Sequence, residues 1–256
     1  MLTVCFYALN FVVIIVSIEY FCFMSVPFFY EQNIVSANSQ FILSEETSKH
    51  CIQVLRMKIG EQLNITDGKG NLFSASIIST DKRYCAVKIN STTFSKQEQR
   101  NVSIAISLVK NASRFEWFLE KATEMGVAEI IPLLCSRTER QHFRFDRMNN
   151  ILIAAMLQSQ QTWLPVLQVP TAFQVVIDQS QHTQKLIAHC EEDKKTEIKN
   201  LKLMNDVQIL IGPEGDFTHD EIQSAIQKNY QPVSLGNTRL RAETAGVTAS
   251  ALLLNL

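Results

Sequence analysis

The stretch ILIGPEGDFTHDEI, from Ile209 to Ile222, runs from an apolar segment through Gly-Pro-Glu-Gly-Asp into a helix start. The apolar residues predict a buried strand, and Thr218 with Glu221 three residues later has the pattern of a capping box. Glycines at the exit of a strand allow positive φ angles or close approach of a ligand to the backbone, and proline fixes the loop between them. On its own, the stretch fits either a ligand-binding loop or a tight connection without a ligand.

Strand-like and helix-like patterns alternate from Val102 to the C-terminus. Strands are predicted over VSIAISLV, AEIIPLLC, KLIAHC, VQILIG and PVSLG. Helices are predicted over RFEWFLEKATEMG, which Gly126 ends, FDRMNNILIAAMLQSQ, THDEIQSAIQKN and AETAGVTASALLLNL. This alternation indicates a mostly parallel sheet with helices on both faces. Ligands of such sheets bind beyond the carboxyl ends of the strands, so the loops IAHCEED, IGPEGD and LGNTRLRAET are predicted to form one pocket.

A different pattern precedes this region. From Phe41 to about Phe94 the sequence is β-like, because EQLNITDGKGNLFSASII and RYCAVKIN alternate apolar and polar residues around an Asp-Gly-Lys-Gly turn. The polar run SKQEQRN, from Ser95 to Asn101, predicts a linker. Two domains are therefore expected.

The first 23 residues, MLTVCFYALNFVVIIVSIEYFCF, are long and apolar enough to pass for a membrane segment. A secretory signal or membrane anchor carries flanking positive charge, whereas the first basic residue here is Lys49, and Glu19 interrupts the run. We therefore favour Met24 as the true start, with residues 1–23 a spurious extension, over a membrane anchor.

Composition and motifs exclude several classes of protein. The sequence has 24 Lys and Arg against 25 Asp and Glu, so the protein as a whole carries no excess of positive charge that would indicate nucleic-acid binding. Any RNA binding must therefore use local basic patches. The six cysteines lack C-x-x-C or metal spacing, which predicts a reduced, cytoplasmic protein without a metal site. P-loop, dinucleotide-binding, G-x-S-x-G and H-E-x-x-H motifs are absent from the sequence. These exclusions leave a pocket of backbone amides, carboxylates and arginine, suited to a ligand with an adenosine part and a cationic or amino-acid part.

Several motifs, in order, resemble those of one known family. They are HCIQVLRMKIGEQLNITDGKG, KNASRFEWFLEKATEMGVAEIIPLLCSRTE, AAMLQSQQTWLP, LIGPEGDF and LGNTRLRAETAG. From Met24 onward the chain resembles the RsmE family, bacterial methyltransferases of the SPOUT superfamily that act on uridine N3 of 16S rRNA in the small ribosomal subunit. The resemblance implies a PUA-like β-barrel over residues 24–95 and a SPOUT α/β methyltransferase domain with a deep trefoil knot over residues 101–256. It also implies S-adenosylmethionine as cofactor and a homodimer with the cofactor pocket at the subunit interface.

The resemblance also implies a set of cofactor-binding residues. They are Ala188, His189, Ile211, Gly212, Glu214, Gly215, Leu235, Gly236, Leu240, Arg241 and Thr244. The chain departs from the family pattern at four positions, which are Asp216, Ala242, Leu157 and Gln161. The first two changes are expected to leave cofactor binding intact, whereas the other two bear on RNA or substrate contacts.

Uridine N3 must lose its proton before it attacks a methyl group, so the reaction needs a base or a stabiliser of the uracil anion. Arg241 is predicted to stabilise the anion, and Glu243 or Glu214 to accept the proton. Each carboxylate could instead serve structure, Glu243 as a charge at a helix N-terminus and Glu214 as a cap for loop amides.

Local basic residues are the candidates for phosphate contacts. They are Arg56, Lys110, Arg114, Arg137, Arg140 and Arg144, and the alternative for them is a solvated surface. A competing class of function is an RNA-binding or ribosome-assembly factor of the same fold without catalysis. The intact GPEG and LRAET motifs argue against that class.

Overall fold

The computed structural model describes residues 26–35, 39–81, 83–97, 100–139, 142–191 and 195–256. The predictions for residues 1–23, Met24 and Arg140 lie outside these ranges. Within these ranges, no helix is long and apolar enough to cross a membrane.

Residues 26–97 form an N-terminal domain around one mixed sheet. Its strands are β1 (Phe28–Tyr30), β2 (Gln40–Ile42), β3 (Gln62–Thr66), β4 (Asn71–Thr80) and β5 (Cys85–Phe94), in the spatial order β1-β3-β4-β5-β2. The predicted hairpin around Asp-Gly-Lys-Gly is confirmed, because β3 and β4 pair antiparallel from Gln62 to Thr66. Register shifts between β4 and β5 bend the sheet around a core that includes Leu63, Ile65 and Phe73.

One part of the β-like prediction is wrong. Helix α1 (Glu45–Lys49) and a π-helical turn over His50–Val54 lie between β2 and β3. The helix is only five residues long, and its N-cap Ser44 accepts a hydrogen bond from the Thr47 amide. Few apolar residues of this segment are buried, Cys51 being one, so apolar periodicity could not reveal it.

Residues 100–256 form an α/β domain. Its strands are β6 (Asn101–Ser107), β7 (Glu129–Leu134), β8 (Val166–Leu167), β9 (Thr171–Ala172), β10 (Gln184–Ala188), β11 (Thr196–Glu197), β12 (Asp206–Ile211) and β13 (Gln231–Ser234). Its helices are α2 (Ala112–Met125), α3 (Phe145–Gln158), α4 (Phe173–Gln179), α5 (His219–Gln227) and α6 (Ala242–Asn255). The sheet order is β11-β13-β10-β12-β6-β7-β8, with β9 beside β7, and all these pairs are parallel. The predicted parallel sheet is confirmed, as are the helix stop at Gly126 (φ 92°) and the capping box of Thr218 and Glu221.

Alternate residues of the central strands face two separate cores. Ile104 of β6 and Ile209 of β12 pack toward α2, α3 and α6, whereas Ala105 and Leu210 pack toward α4 and α5. Both faces of the sheet are therefore covered by helices, as the alternation of strands and helices predicted.

His182 lies at the amino-terminal edge of this sheet between two carboxylates. Its Nδ1 lies 2.8 Å from an oxygen of Asp206, and its Nε2 lies 3.7 Å from an oxygen of Glu129. The close contact with the Glu129 carboxylate raises the pKa of His182, and the imidazole in turn lowers the pKa of Glu129. The ionised pair therefore stabilises the fold below the ordinary histidine pKa, and this stabilisation is lost as pH rises through the raised pKa of His182.

A small β-bridge joins the two domains. The β3–β4 turn pairs with the segment around Trp163, through Gly70 N–H to the Thr162 carbonyl (2.9 Å) and Leu164 N–H to the Gly68 carbonyl (2.9 Å). The Trp163 indole N–H donates to the Ser95 carbonyl at 2.8 Å. A Cβ atom at Gly70 would lie 2.6 Å from the Trp163 ring, so only glycine allows this approach.

Candidate active site

A cavity with two adjoining lobes lies at the carboxyl ends of β10, β12 and β13. The lobes have volumes of about 300 and 320 Å³. Both are lined by Ala188, Cys190, Ile211, Arg239, Leu240 and Ala245. These residues come from the three predicted loops and from α6, so the loops converge on one cavity as the sequence indicated.

The first lobe is formed mainly by the Gly-Pro-Glu-Gly-Asp loop. Gly212, Pro213, Glu214 and Asp216 line it together with Arg241, the N-cap residue of α6. The second lobe is formed by the loop after β13 and by residues near β10. It is lined by His189, Lys195, Val233, Ser234, Leu235, Gly236, Asn237 and Thr238.

Asp216 connects the two loops that enclose the first lobe. Its backbone has φ 62°, in the left-handed region that glycine adopts without strain. Its side chain accepts hydrogen bonds from the Cys190 amide at 2.7 Å and the Phe217 amide at 2.9 Å. Asp216 is one of the positions at which the chain departs from the family pattern. This aspartate keeps the left-handed turn and also fixes the loop after β10.

The glycines around the cavity have different steric surroundings. A Cβ atom at Gly236, where φ is 147°, would meet nothing within 4 Å. At Gly212 it would lie 3.1 Å from Phe217, which packs into the core. At Gly215 it would lie 3.4 Å from Cδ of Arg137, whose guanidinium donates to the Gly215 carbonyl at 2.7 Å. Gly236 is thus open on its Cβ side, whereas the other two are packed against protein.

The predicted cofactor-binding residues all line the cavity except two, Gly215 and Thr244. Cavity residues that the sequence did not single out include Cys190, Lys195, Arg239 and Asn237. Lys195 Nζ donates to the His189 carbonyl at 2.8 Å, which closes the loop after β10. All four lie in or beside the three quoted loops, but the sequence contains no signal for which side of a loop faces a cavity.

The two candidate carboxylates occupy different environments. Glu214 is exposed and lines the first lobe, and its Oε1 accepts the Lys110 amide at 3.0 Å. Glu243 is buried on α6, with Oε1 at 3.7 Å from Nε of Arg114. Its Oε2 is enclosed and has no hydrogen-bond partner in the described chain. Glu214 therefore faces the cavity, whereas Glu243 lines neither lobe and lies buried beside Arg114.

The basic candidates for RNA contacts are dispersed. Lys110 and Arg114 lie at the N-terminus of α2 beside Glu214 and Glu243, and a hydrogen bond to Glu139 raises the pKa of Lys110. Arg137 bonds to loop carbonyls, as described above. Arg144 precedes α3 with its Nε 3.4 Å from His142, and Arg56 is exposed in the N-terminal domain with φ 54°.

One of the departures from the family pattern, Gln161, has a structural role at the end of α2. The Gln161 amide donates to the carbonyls of Thr123 and Glu124, at 3.0 and 2.8 Å, and so caps the C-terminal end of α2. Among the residues with defined positions, no cluster of three or more His, Cys, Asp or Glu side chains could hold a metal ion.

Comparisons with known proteins match both domains. An RNA methyltransferase domain matches residues 96–254, and an RNA methyltransferase PUA domain matches residues 43–90. Ribosomal RNA small subunit methyltransferase E of Synechocystis is 31% identical over 79% of this chain and 69% of its own length. The protein of that name from Rickettsia conorii is 28% identical over 85% of this chain and 90% of its own length.

Solved structures are similar over nearly the whole chain. A probable rRNA-methyltransferase from Porphyromonas gingivalis is 36% identical with a TM-score of 0.81, over 88% of this chain and 95% of its own. The Neisseria gonorrhoeae ribosomal RNA small subunit methyltransferase E, bound to S-adenosyl methionine, is 26% identical with a TM-score of 0.80, over 89% and 96%. The chain therefore belongs to the RNA methyltransferase family that includes these small-subunit methyltransferases E, which confirms the family that its motifs predicted.

Proposed function

We propose that this protein transfers a methyl group from S-adenosylmethionine to N3 of a uridine in the 16S rRNA of the small ribosomal subunit. The observation that carries the proposal is the cavity at the carboxyl ends of the parallel strands, with Glu214 and Arg241 in its first lobe. The names of the relatives and the cofactor bound to the Neisseria structure support the choice of substrate and cofactor.

The lining of the cavity fits this cofactor. Apolar surface for an adenine ring comes from Ile211, Leu235, Leu240 and Ala245. The space on the Cβ side of Gly236 is empty and adjoins this surface. Asp216 supplies a carboxylate for the cationic amino-acid end, and Arg239 supplies donors for its carboxylate. When bound, the cofactor supplies an electrophilic methyl group.

The residues beside the cavity have separate roles in proton removal, charge stabilisation and RNA binding. Glu214 is the accessible carboxylate and takes the N3 proton, directly or through a water molecule. Arg241 stabilises the negative charge that develops on the uracil oxygens. Glu243 holds Arg114, which with Lys110 and Arg144 contacts the RNA backbone. Arg56 and the N-terminal domain extend the RNA contacts, and Arg137 acts by fixing the cofactor loop.

We also propose the knot and the homodimer that the family resemblance implies. The chain leaves β13 on one side of β10 and returns past the ends of β10 and β12 to pack α6 against β6 and α2, a path that supports a trefoil knot. Helix α6 leaves Val247, Thr248 and Ala251 half-exposed, which supports a second copy packing there. A ribosomal substrate implies a cytoplasmic protein, and Cys51, Cys85, Cys135 and Cys190 are free thiols in keeping with a reducing compartment.

The direct test is methylation of undermethylated small subunits with methyl-labelled S-adenosylmethionine, followed by mapping of the product by mass spectrometry. Ala245→Leu adds bulk to the wall that both lobes share, so we expect cofactor affinity measured by calorimetry to fall about 100-fold or more. Ala154→Leu, on the exposed face of α3, is the matched control and should bind as the wild type does.

Two outcomes would contradict the proposal. Wild-type affinity in Ala245→Leu would place the cofactor elsewhere. A wild-type protein that binds small-subunit RNA but neither binds nor consumes the cofactor would support the alternative of a non-catalytic RNA-binding or assembly factor.

A further inference from the structure

A second, larger cavity lies between the two domains. It is a cleft of about 1390 Å³ at the amino-terminal ends of β6, β7 and β8, bounded by the β-bridge around Trp163. The cofactor cavity lies at the other end of the same sheet. Asn101 pairs with Asp206 at the start of β12, and Ile211 ends that strand in the cofactor cavity, so the two sites are about 17 Å apart along the strands.

Aromatic rings stand at one side of the cleft. Phe94 ends β5 with 62% of its surface exposed, and its ring centre lies 6.0 Å from that of Trp163 in an edge-to-face arrangement. Trp163 is held by Gly70 and by its hydrogen bond to Ser95. A rigid ring therefore supports an exposed one, which provides a platform on which a flat group can stack.

Amide side chains also line the cleft. They are Gln32, Gln97, Asn149 and Gln160, together with Asn101 and Gln161, whose amide groups already donate to Asp206 and to the end of α2. Gln160 adopts φ 55°, a conformation that is uncommon for a residue other than glycine and that concentrates at functional sites. Asparagine and glutamine both donate and accept hydrogen bonds, as the edges of nucleobases do.

Two cations of the cleft are available to a polyanion. The carboxylates of the cleft are already bonded, because Asp67 accepts from the Lys69 and Asn71 amides at 2.8 and 3.2 Å, and Glu124 pairs with Lys121 at 2.9 Å. Lys69 and Lys96 are exposed, and within the described residues neither ammonium group forms an ion pair or side-chain hydrogen bond. Two available cations beside a stacking platform and amide groups match the needs of single-stranded nucleic acid.

We propose that this interdomain cleft binds a single-stranded segment of the RNA substrate, with a base stacked on Phe94 and phosphates contacted by Lys69 and Lys96. The inference rests on the proposed function for the identity of the RNA. The cleft is too far from the cofactor cavity to hold the nucleotide that is methylated, so it holds the substrate by a neighbouring segment.

The two tryptophans of the sequence, Trp117 and Trp163, make the cleft directly observable. In a Trp117→Phe background the fluorescence reports on Trp163 alone. Titration with an unstructured single-stranded RNA of about 12 nucleotides, within the site-size range of such binders, should change this fluorescence saturably. A duplex of the same sequence should bind about tenfold more weakly, because its bases cannot stack on Phe94.

A double variant removes the proposed contacts. In the same background, Phe94→Ala with Lys96→Ala should weaken binding about tenfold or more and reduce the salt slope by about one. Tyr84→Ala with Lys88→Ala removes the same kinds of exposed group at the opposite end of β5 and is the matched control. We expect it to bind within about twofold of its parent.

The inference would be overturned by an unchanged Trp163 signal, by equal losses in the two double variants, or by a duplex that binds as well as the single strand. Cofactor affinity of the Phe94 and Lys96 variant, measured by calorimetry, keeps the two proposals separate. If the wild-type protein binds S-adenosylmethionine and transfers its methyl group, but the RNA titration does not change the Trp163 fluorescence, only the cleft inference is wrong. If the cofactor is not bound, the proposed function is wrong.

Discussion

Gly246 is the point at which α6 packs most closely on the rest of the catalytic domain. A Cβ atom there would lie 2.6 Å from Cδ2 and Cε2 of Phe118 and 3.0 Å from Cδ1 of Ile106. Phe118 and Ile106 are both fully buried, so neither has space to move aside. Because Ala245 and Arg241 on the same helix line the cofactor cavity, this contact also sets the position of the site.

Gly246→Val should therefore destabilise the fold although valine has the higher helix propensity. Carbon atoms pack at about 3.5–4.0 Å, so the new Cβ would overlap Phe118 by about 1 Å. Overpacking of a core costs about 1–3 kcal/mol, and the gain in helix propensity offsets only a few tenths. We expect a net loss of about 2 kcal/mol in the free energy of unfolding. If relief of the overlap displaces α6 by about 1 Å, the rate of methyl transfer should fall about 100-fold.

Urea unfolding followed by circular dichroism measures the free energy, and single-turnover methylation measures the rate. Ala154→Val, on the exposed face of α3, introduces the same residue without an overlap and should cost less than about 1 kcal/mol, the difference in helix propensity. In a double-mutant cycle, Phe118→Leu should reduce the cost of Gly246→Val, because it removes the ring atoms that the new side chain meets. A Gly246→Val protein as stable as the wild type, or more stable, would refute the argument.

His182→Gln should lower the free energy of unfolding by about 1–2 kcal/mol at pH 5.5 and by less at pH 9, because the stabilising charge pair with Glu129 exists only below the raised pKa of His182. Arg241→Lys should reduce single-turnover rates about 100-fold with little change in RNA affinity by filter binding, since lysine keeps the charge but loses the planar fork. Glu214→Gln should slow methyl transfer about 100-fold, whereas Glu243→Gln should slow it less than about tenfold.

A specific experimental result would contradict each of these predictions. An equal loss of unfolding free energy in His182→Gln at both pH values would show that His182 stabilises the fold by packing and not by its charge. Wild-type turnover in Arg241→Lys would remove Arg241 from catalysis. A slower reaction in Glu243→Gln than in Glu214→Gln would make the buried carboxylate the proton acceptor and would require Arg114 to move during the reaction.

The five longer strands and four of the helices of the α/β domain were predictable because their signals are local, whereas α4 and the two-residue strands β8, β9 and β11 were not predicted. The short apolar runs of β6 and β12, the stop at Gly126 and the capping box at Thr218 each depend on residues within a few positions of one another. The carboxyl ends of the predicted parallel strands indicated which three loops form the cavity. The helix at Glu45–Lys49 was missed because a five-residue element has too few buried apolar positions to show a period.

Only the tertiary structure decided how equivalent residue types are used. Gly212, Gly215 and Gly236 look alike in sequence, yet only the Cβ side of Gly236 is open. Likewise, Glu214 faces the cavity while Glu243, in the first turn of α6, is enclosed beside Arg114. These environments depend on contacts between segments far apart in the chain, and a single sequence does not contain the spatial register of such segments.

The same limit applies to the interdomain cleft. Composition showed a neutral protein and indicated that RNA contacts must be local, which follows from charge alone. That Phe94 and Trp163, 69 residues apart in numbering (163 − 94), form one platform depends on the bridge between Gly70 and Thr162. Local sequence determined the elements and the loops, and packing between distant segments determined which side chains those loops present to a ligand.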